Sequence, residues 1–169
     1  MMASDWPTVA RVVHVLSIVH WIGGLTVVTT VVLPAARRQP TAERSIAAFE
    51  SVEHRFAPQA RWSVALAGLS GIYMFGSSYS WSRMLDPSLW WLHLMVAVWF
   101  VFAIVLFVLE PLVLHELFRR HAIVKPKHTF DLAIRLHAVA LIVSAGTIAA
   151  GVLGAHGAFW REETSCEIC

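Results

Sequence analysis

Apolar residues in this chain come in unbroken runs rather than in alternation. Four runs stand out: about Val9 to Leu33, closed by Pro34; about Trp62 to Ser78, the shortest; about Leu89 to His115, entered through Asp86-Pro87-Ser88; and about Phe130 to Gly154. None shows the period-two pattern of a half-buried strand. Lipid leaves open sheet edges unsatisfied, so runs of this length are read as helices. A hydrocarbon core roughly 30 Å thick takes about 20 apolar residues as helix. The pattern predicts an all-α integral membrane protein, a bundle of four transmembrane helices. Between the first two runs, Ile46, Phe49, Val52 and Phe56 recur at helical spacing, with Glu43, Arg44, Glu50, Glu53 and Arg55 between them. That predicts an interfacial amphipathic helix, or an extension of span two interrupted near Pro58.

Composition agrees. Of 169 residues, 57% are hydrophobic and 14% charged, and the mean hydropathy is +0.64. A soluble domain carries about a quarter charged residues. Disordered chains, disulfide-stapled secreted miniproteins and soluble nucleic-acid binders are excluded, and no basic stripe exists outside short loops. Residues 1–160 read as one four-span domain and 161–169 as a short tail. The first run has no Lys or Arg before Arg11 and outlasts a secretory h-region, so it reads as a retained span.

Charge sets the expected orientation. The 34–61 and 116–129 segments hold nine Lys and Arg, against Arg11, Arg83 and Arg161 on the other side. By the positive-inside rule both termini face outward from a bacterial inner membrane. Cys166 and Cys169 then lie in an oxidising compartment. Their C-x-x-C spacing lacks the following His of a haem attachment site, and a solvated tail is the simpler reading.

Nine histidines in so small a membrane protein are the main chemical clue. Ionisable groups inside a span are costly and face a partner, a cavity or a cofactor. His14, His20, His93 and His137 fall within spans, His115 and His156 at span ends, and His54, His121 and His128 in loops. At 1.5 Å per residue His14 lies roughly 9 Å and His93 roughly 6 Å from the outer ends of their spans. Two imidazoles at one height on facing helices can take both axial positions of a haem iron. His20 and His137 form a second, less level pair. His20 lies about 120° around the helix from His14 and shares its face with Ser17, Gly23 and Gly24. Arg11 is one turn outward of His14, placed for a haem propionate or for snorkelling. Trp21 and Trp99 are deep enough to pack on a macrocycle or simply in the core, whereas Trp90, Trp91 and Trp160 read as an aromatic belt. Glu110 and Arg135 lie at similar depth and are expected to form a buried ion pair; the functional alternative is a proton path to a redox centre. Gly146, Ala150, Gly154 and Ala158 on span four, and Ala67 and Gly71 on span two, predict close helix contacts.

The segment His14-Val-Leu-Ser-Ile-Val-His-Trp21-Ile-Gly23-Gly24-Leu resembles the first span of the copper-resistance protein D family. It also resembles the related small membrane protoporphyrinogen oxidases. Arg55-Phe56-Ala57 and Trp91-Leu92-His93 resemble the openings of their second and third spans. In the oxidase group a lysine follows that third-span histidine; here Leu94 does. His20-Trp21 is also similar to the first span of small di-haem b-type cytochromes. The resemblance implies haem b or copper handling, with His14 and His93 as the matching ligand positions.

The sequence therefore leads to a membrane-embedded electron-transfer protein. It would hold one haem b on His14 and His93, or two if His20 and His137 also serve, with Arg11, Trp21 and Gly24 beside the cofactor. Quinol or a periplasmic redox protein would be the partner, and a homo-oligomer or larger membrane complex is compatible. Two alternatives stand beside it. One is copper handling without haem, through His14, His20, Met95, His156 and the Cys pair. The other is an accessory subunit of a respiratory complex, with the histidines bridging helices.

Overall fold

The computed structural model describes residues 5–78 and 86–157. Every regular element among them is helical. Helix α1 (Trp6–Val27) passes through a π-helical turn, Val28–Val32, into α2 (Leu33–Arg37). After a short turn comes α3 (Ala42–Ser78), and then a 3-10 turn at Pro87–Leu89 leads into α4 (Trp90–Ile104). A π-helical stretch, Val105–Leu114, joins α4 to α5 (His115–Val124), and α6 (Pro126–Ala155) follows after Lys125 alone. Among the described residues, three continuous helices are long and apolar enough to cross a membrane: Trp6–Arg37, Pro87–Val124 and Pro126–Ala155. The second expected span is the latter half of α3, which at 37 residues has the length to cross but is apolar only in that half.

Local chemistry explains the boundaries. The Asp86 side chain accepts the amide of Ser88 at 2.9 Å, so the expected start of the third helix is where the sequence put it. Pro126 occupies the first turn of α6, where its missing amide costs nothing. Gly157, at φ 75°, turns the chain out of that helix. Pro34 does not end the first helix as expected. A proline deprives an upstream carbonyl of its donor, and the helix responds by widening. The amide of Leu33 reaches back five residues to Val28. Pro111 sits inside the second π stretch, where the His115 amide reaches Glu110, again five back. The amphipathic segment is an extension of α3 that runs through Pro58 without a break.

Packing is inside-out relative to a soluble bundle. Among the described residues seven buried side chains are Ser or Thr, including Ser17, Ser63, Ser70, Ser144 and Thr147. Leu16, Leu69, Leu112 and Ile142 are exposed. Such a surface suits lipid, and small residues inside let helix backbones approach. α1 packs chiefly on α3, and α4 on α6. Aromatic knobs fill glycine holes: the Phe56 ring covers Gly24, the Trp99 indole covers Gly68, and the Trp91 indole covers Gly154. On α6 the buried stripe is Ser144, Thr147, Gly151 and Gly154. Of the expected stripe, Gly154 is buried against Trp91, a side chain at Gly146 would meet nothing within 4 Å, and Ala158 lies outside the described residues. The best-sealed region is the basic end, where Phe49, Phe118 and Phe130 form an aromatic triad with centroids 5.1–6.2 Å apart. Phe130 and Leu33 are fully buried there.

Candidate functional site

The first polar centre forms where α1 meets α3. His14 Nδ1 lies 2.8 Å from the carbonyl oxygen of Ala67 and 3.2 Å from Ser70 Oγ. A carbonyl can only accept, so the proton sits on Nδ1 and the lone pair of the neutral ring is on Nε2. Gly71 gives the ring room, since a side chain there would meet the imidazole at 3.3 Å, tighter than ordinary contact. The expected Ala67 and Gly71 contact is real, and its partner is His14.

His93 and His137 are half-buried. Each turns Nδ1 to the carbonyl four residues back in its own helix, Leu89 and Ala133, at 2.9 Å. A backbone carbonyl on the remote ring nitrogen is also what orients metal-binding histidines, so the donor chemistry fits a haem ligand. Helix α3 gives the relative heights. Trp99 donates to the Val64 carbonyl and covers Gly68, while His14 engages Ala67, Ser70 and Gly71. Contacts of α3 residue 61 with 106 and 110 make α3 and α4 antiparallel. His93 is six residues from Trp99 toward the far end, which brings it within roughly 5 Å of His14 in height at 1.5 Å per residue.

Other expected site residues fall elsewhere. His20 is exposed on the outer side of α1, as is Gly23, while Ser17 and Gly24 turn inward. The face expected to be shared is therefore split. Gly24 seats Phe56 rather than an open space. Trp21 is buried edge-on against Phe102, with centroids 4.5 Å apart. Arg11 is exposed. Met95 sulfur lies against Gly151. Among the described residues no group of three His, Cys, Asp or Glu side chains is placed to hold a metal ion. Arg83, Trp160, Arg161, Cys166 and Cys169 lie outside the described residues.

The second centre was not expected. At the basic end a cleft of about 440 Å³ opens between α3, the π stretch and α5. Arg61 binds Glu110 through NH2 and Oε2, and its Nε donates to the Leu106 carbonyl at 3.1 Å. That carbonyl is the one Pro111 leaves open, because in an i to i+5 ladder its donor would be the amide of residue 111. The expected Glu110–Arg135 pair is thereby corrected: Arg61 is the partner, and Arg135 is exposed. Nearer the mouth, His115 Nδ1 is 3.6 Å from Glu53 Oε2 and its Nε2 is 3.9 Å from Glu50 Oε1. Arg119 Nε is 3.7 Å from Glu50 Oε1. Burial pushes the Glu53 carboxyl above the ordinary glutamate range, only partly offset by His115, while Glu110 and Glu50 add to the rise. One signal was available in the sequence: Glu50, His54, Ala57 and Arg61 follow helical spacing and so share one face of α3.

No protein-family model, curated protein or solved structure matches this chain.

Proposed function

We propose that the chain is a four-span inner-membrane protein that binds haem b and passes electrons, with His14 and His93 as its ligands. Both termini face outward, and the Arg-rich end with the π stretches faces the cytoplasm. The observation that carries this reading is the His14–Ala67 hydrogen bond between helices. It fixes the tautomer and ring orientation, and it makes Nε2 the more basic nitrogen. Ser70 steadies the ring and Gly71 leaves room for it. The comparable height of His93, and its own carbonyl-bound Nδ1, support it as the second residue that would hold the haem. Arg11, exposed one turn outward, suits a propionate. Haem b, when bound, supplies a one-electron iron couple whose potential follows ligand type, burial and hydrogen bonding. Reduction by quinol or a periplasmic redox protein fits the outer position of the histidines.

The test is a pyridine haemochrome spectrum of protein expressed with ample haem. The expected result is one b-type haem per chain, lost or shifted to high spin in both His14→Ala and His93→Ala. Protein free of haem, or α-bands unchanged in both variants, overturns the proposal. Copper without haem by elemental analysis would favour copper handling instead.

A further inference from the structure

The charged cleft at the basic end has an unequal balance. Glu50, Glu53 and Glu110 bring three carboxylates, and Arg61 and Arg119 bring two permanent cations. Arg61 is committed to Glu110 and Arg119 approaches Glu50. The remaining carboxylate, Glu53, faces His115, whose ring stands between Glu53 and Glu50. With His115 neutral and all three carboxylates ionised, the formal charge of this group is −1. One proton brings it to zero. His54 at the rim is exposed and is the other titratable group on this face.

We infer that the cleft is a proton-binding site, in which Glu53, at the mouth and facing His115, takes up one exchangeable proton from water. The inference does not rest on the haem reading. Binding is a simple transfer: a water-borne acid gives up its proton, and one O–H bond forms on Glu53. The geometry explains why the proton stays at the mouth. The Arg61–Glu110 pair forms the inner wall and is charge-balanced without it. Partial burial of Glu53 favours the neutral acid over the bare carboxylate, and the open mouth gives the proton a route in and out. The π stretch matters because it sets the angle at which α5 presents His115 and Arg119 to α3.

The experiment is an infrared pH titration of the full chain in nanodiscs, following the protonated-carboxyl C=O band. The wild type should show one carboxyl that stays protonated above the ordinary glutamate range. Glu53→Gln should lose that band, and Glu116→Gln, whose carboxylate pairs with Arg120 outside the cleft, should keep it. His115→Gln should shift its midpoint upward, because the ring that faces Glu53 holds that carboxyl down. His54→Gln should leave it in place. A wild type with no such carboxyl overturns the inference without any variant, so a misfolded Glu53→Gln cannot shield it. A band that survives in a folded Glu53→Gln also overturns it, as does a band that follows sodium concentration instead of pH.

Discussion

Replacing Arg61 with Met removes two interactions at once, and their sizes can be separated. The first is the pair with Glu110. Losing one partner of a fully buried pair costs about 3–5 kcal/mol, and an exposed pair contributes about 0–1 kcal/mol. The Arg61 and Glu110 side chains are 33% and 19% exposed, so the loss falls between, at about 2 kcal/mol. The second is the bond to the Leu106 carbonyl, for which no amide is available at Pro111. Leaving such an acceptor unpaired costs about 1 kcal/mol, at the low end of the usual range because hydrogen bonds inside membrane bundles measure weakly. Arg61→Met should therefore destabilise the protein by about 3 kcal/mol. Adding Glu110→Gln should return about 2 kcal/mol of that and leave the carbonyl cost. Reversible unfolding by SDS in mixed micelles, followed by circular dichroism, gives these values. Arg135→Met is the control and should change stability by less than about 0.5 kcal/mol. If Arg135→Met proved as costly as Arg61→Met, or if Arg61→Met were neutral, the assigned partnership would be wrong.

The glycine holes make graded predictions. Gly68→Ala drives a methyl into the Trp99 indole, which is pinned by its bond to Val64; overpacking of this kind costs about 1–3 kcal/mol. Gly151→Ala meets the flexible Met95 thioether and should cost under about 1 kcal/mol, because that side chain can move aside. Gly23→Ala meets nothing within 4 Å, so it should be neutral or gain up to about 1 kcal/mol in helix propensity. The same SDS unfolding assay ranks the three, and a reversed order would refute the packing. For pH, the Glu53 carboxyl is raised in the folded chain, so the folded state binds its proton more tightly than the unfolded state. That stability is fully present below the ordinary glutamate value of 4.5 and is lost as pH rises through the raised value. Glu53→Gln should match the wild type in acid and become the more stable form as pH rises, and a constant difference across that window would contradict the shift.

The apolar runs, the Asp86 start and the helical reading of 42–59 were legible because they depend on neighbours along the chain. What was not legible depends on rotation. Depth along the sequence made Arg135 look like a partner for Glu110. Which side of each helix faces inward is set by contacts with other helices, and spacing along one helix does not show it. The same limit misplaced Gly146, since small residues every four positions and the stripe Ser144, Thr147, Gly151, Gly154 are both acceptable helix faces. Among the histidines, sequence reasoning found His14 as an inward residue but not its bond to Ala67, which is 53 residues away. His20 sits outside because Trp21, its neighbour, takes the inward position against Phe102.

A stretch with more than 3.6 residues per turn acts on everything beyond it as an insertion does. Between Val105 and Leu114 the third long helix accumulates angular lag, and the segment from His115 onward is dialled around its axis relative to Trp91 and Met95. Trimming one residue there would relax the winding and swing His115 and Arg119 off Glu53 and Glu50, while the knobs of α4 stayed seated in α6. One short segment thus acts as an angular spacer, which lets the two ends of a single rod change independently of each other.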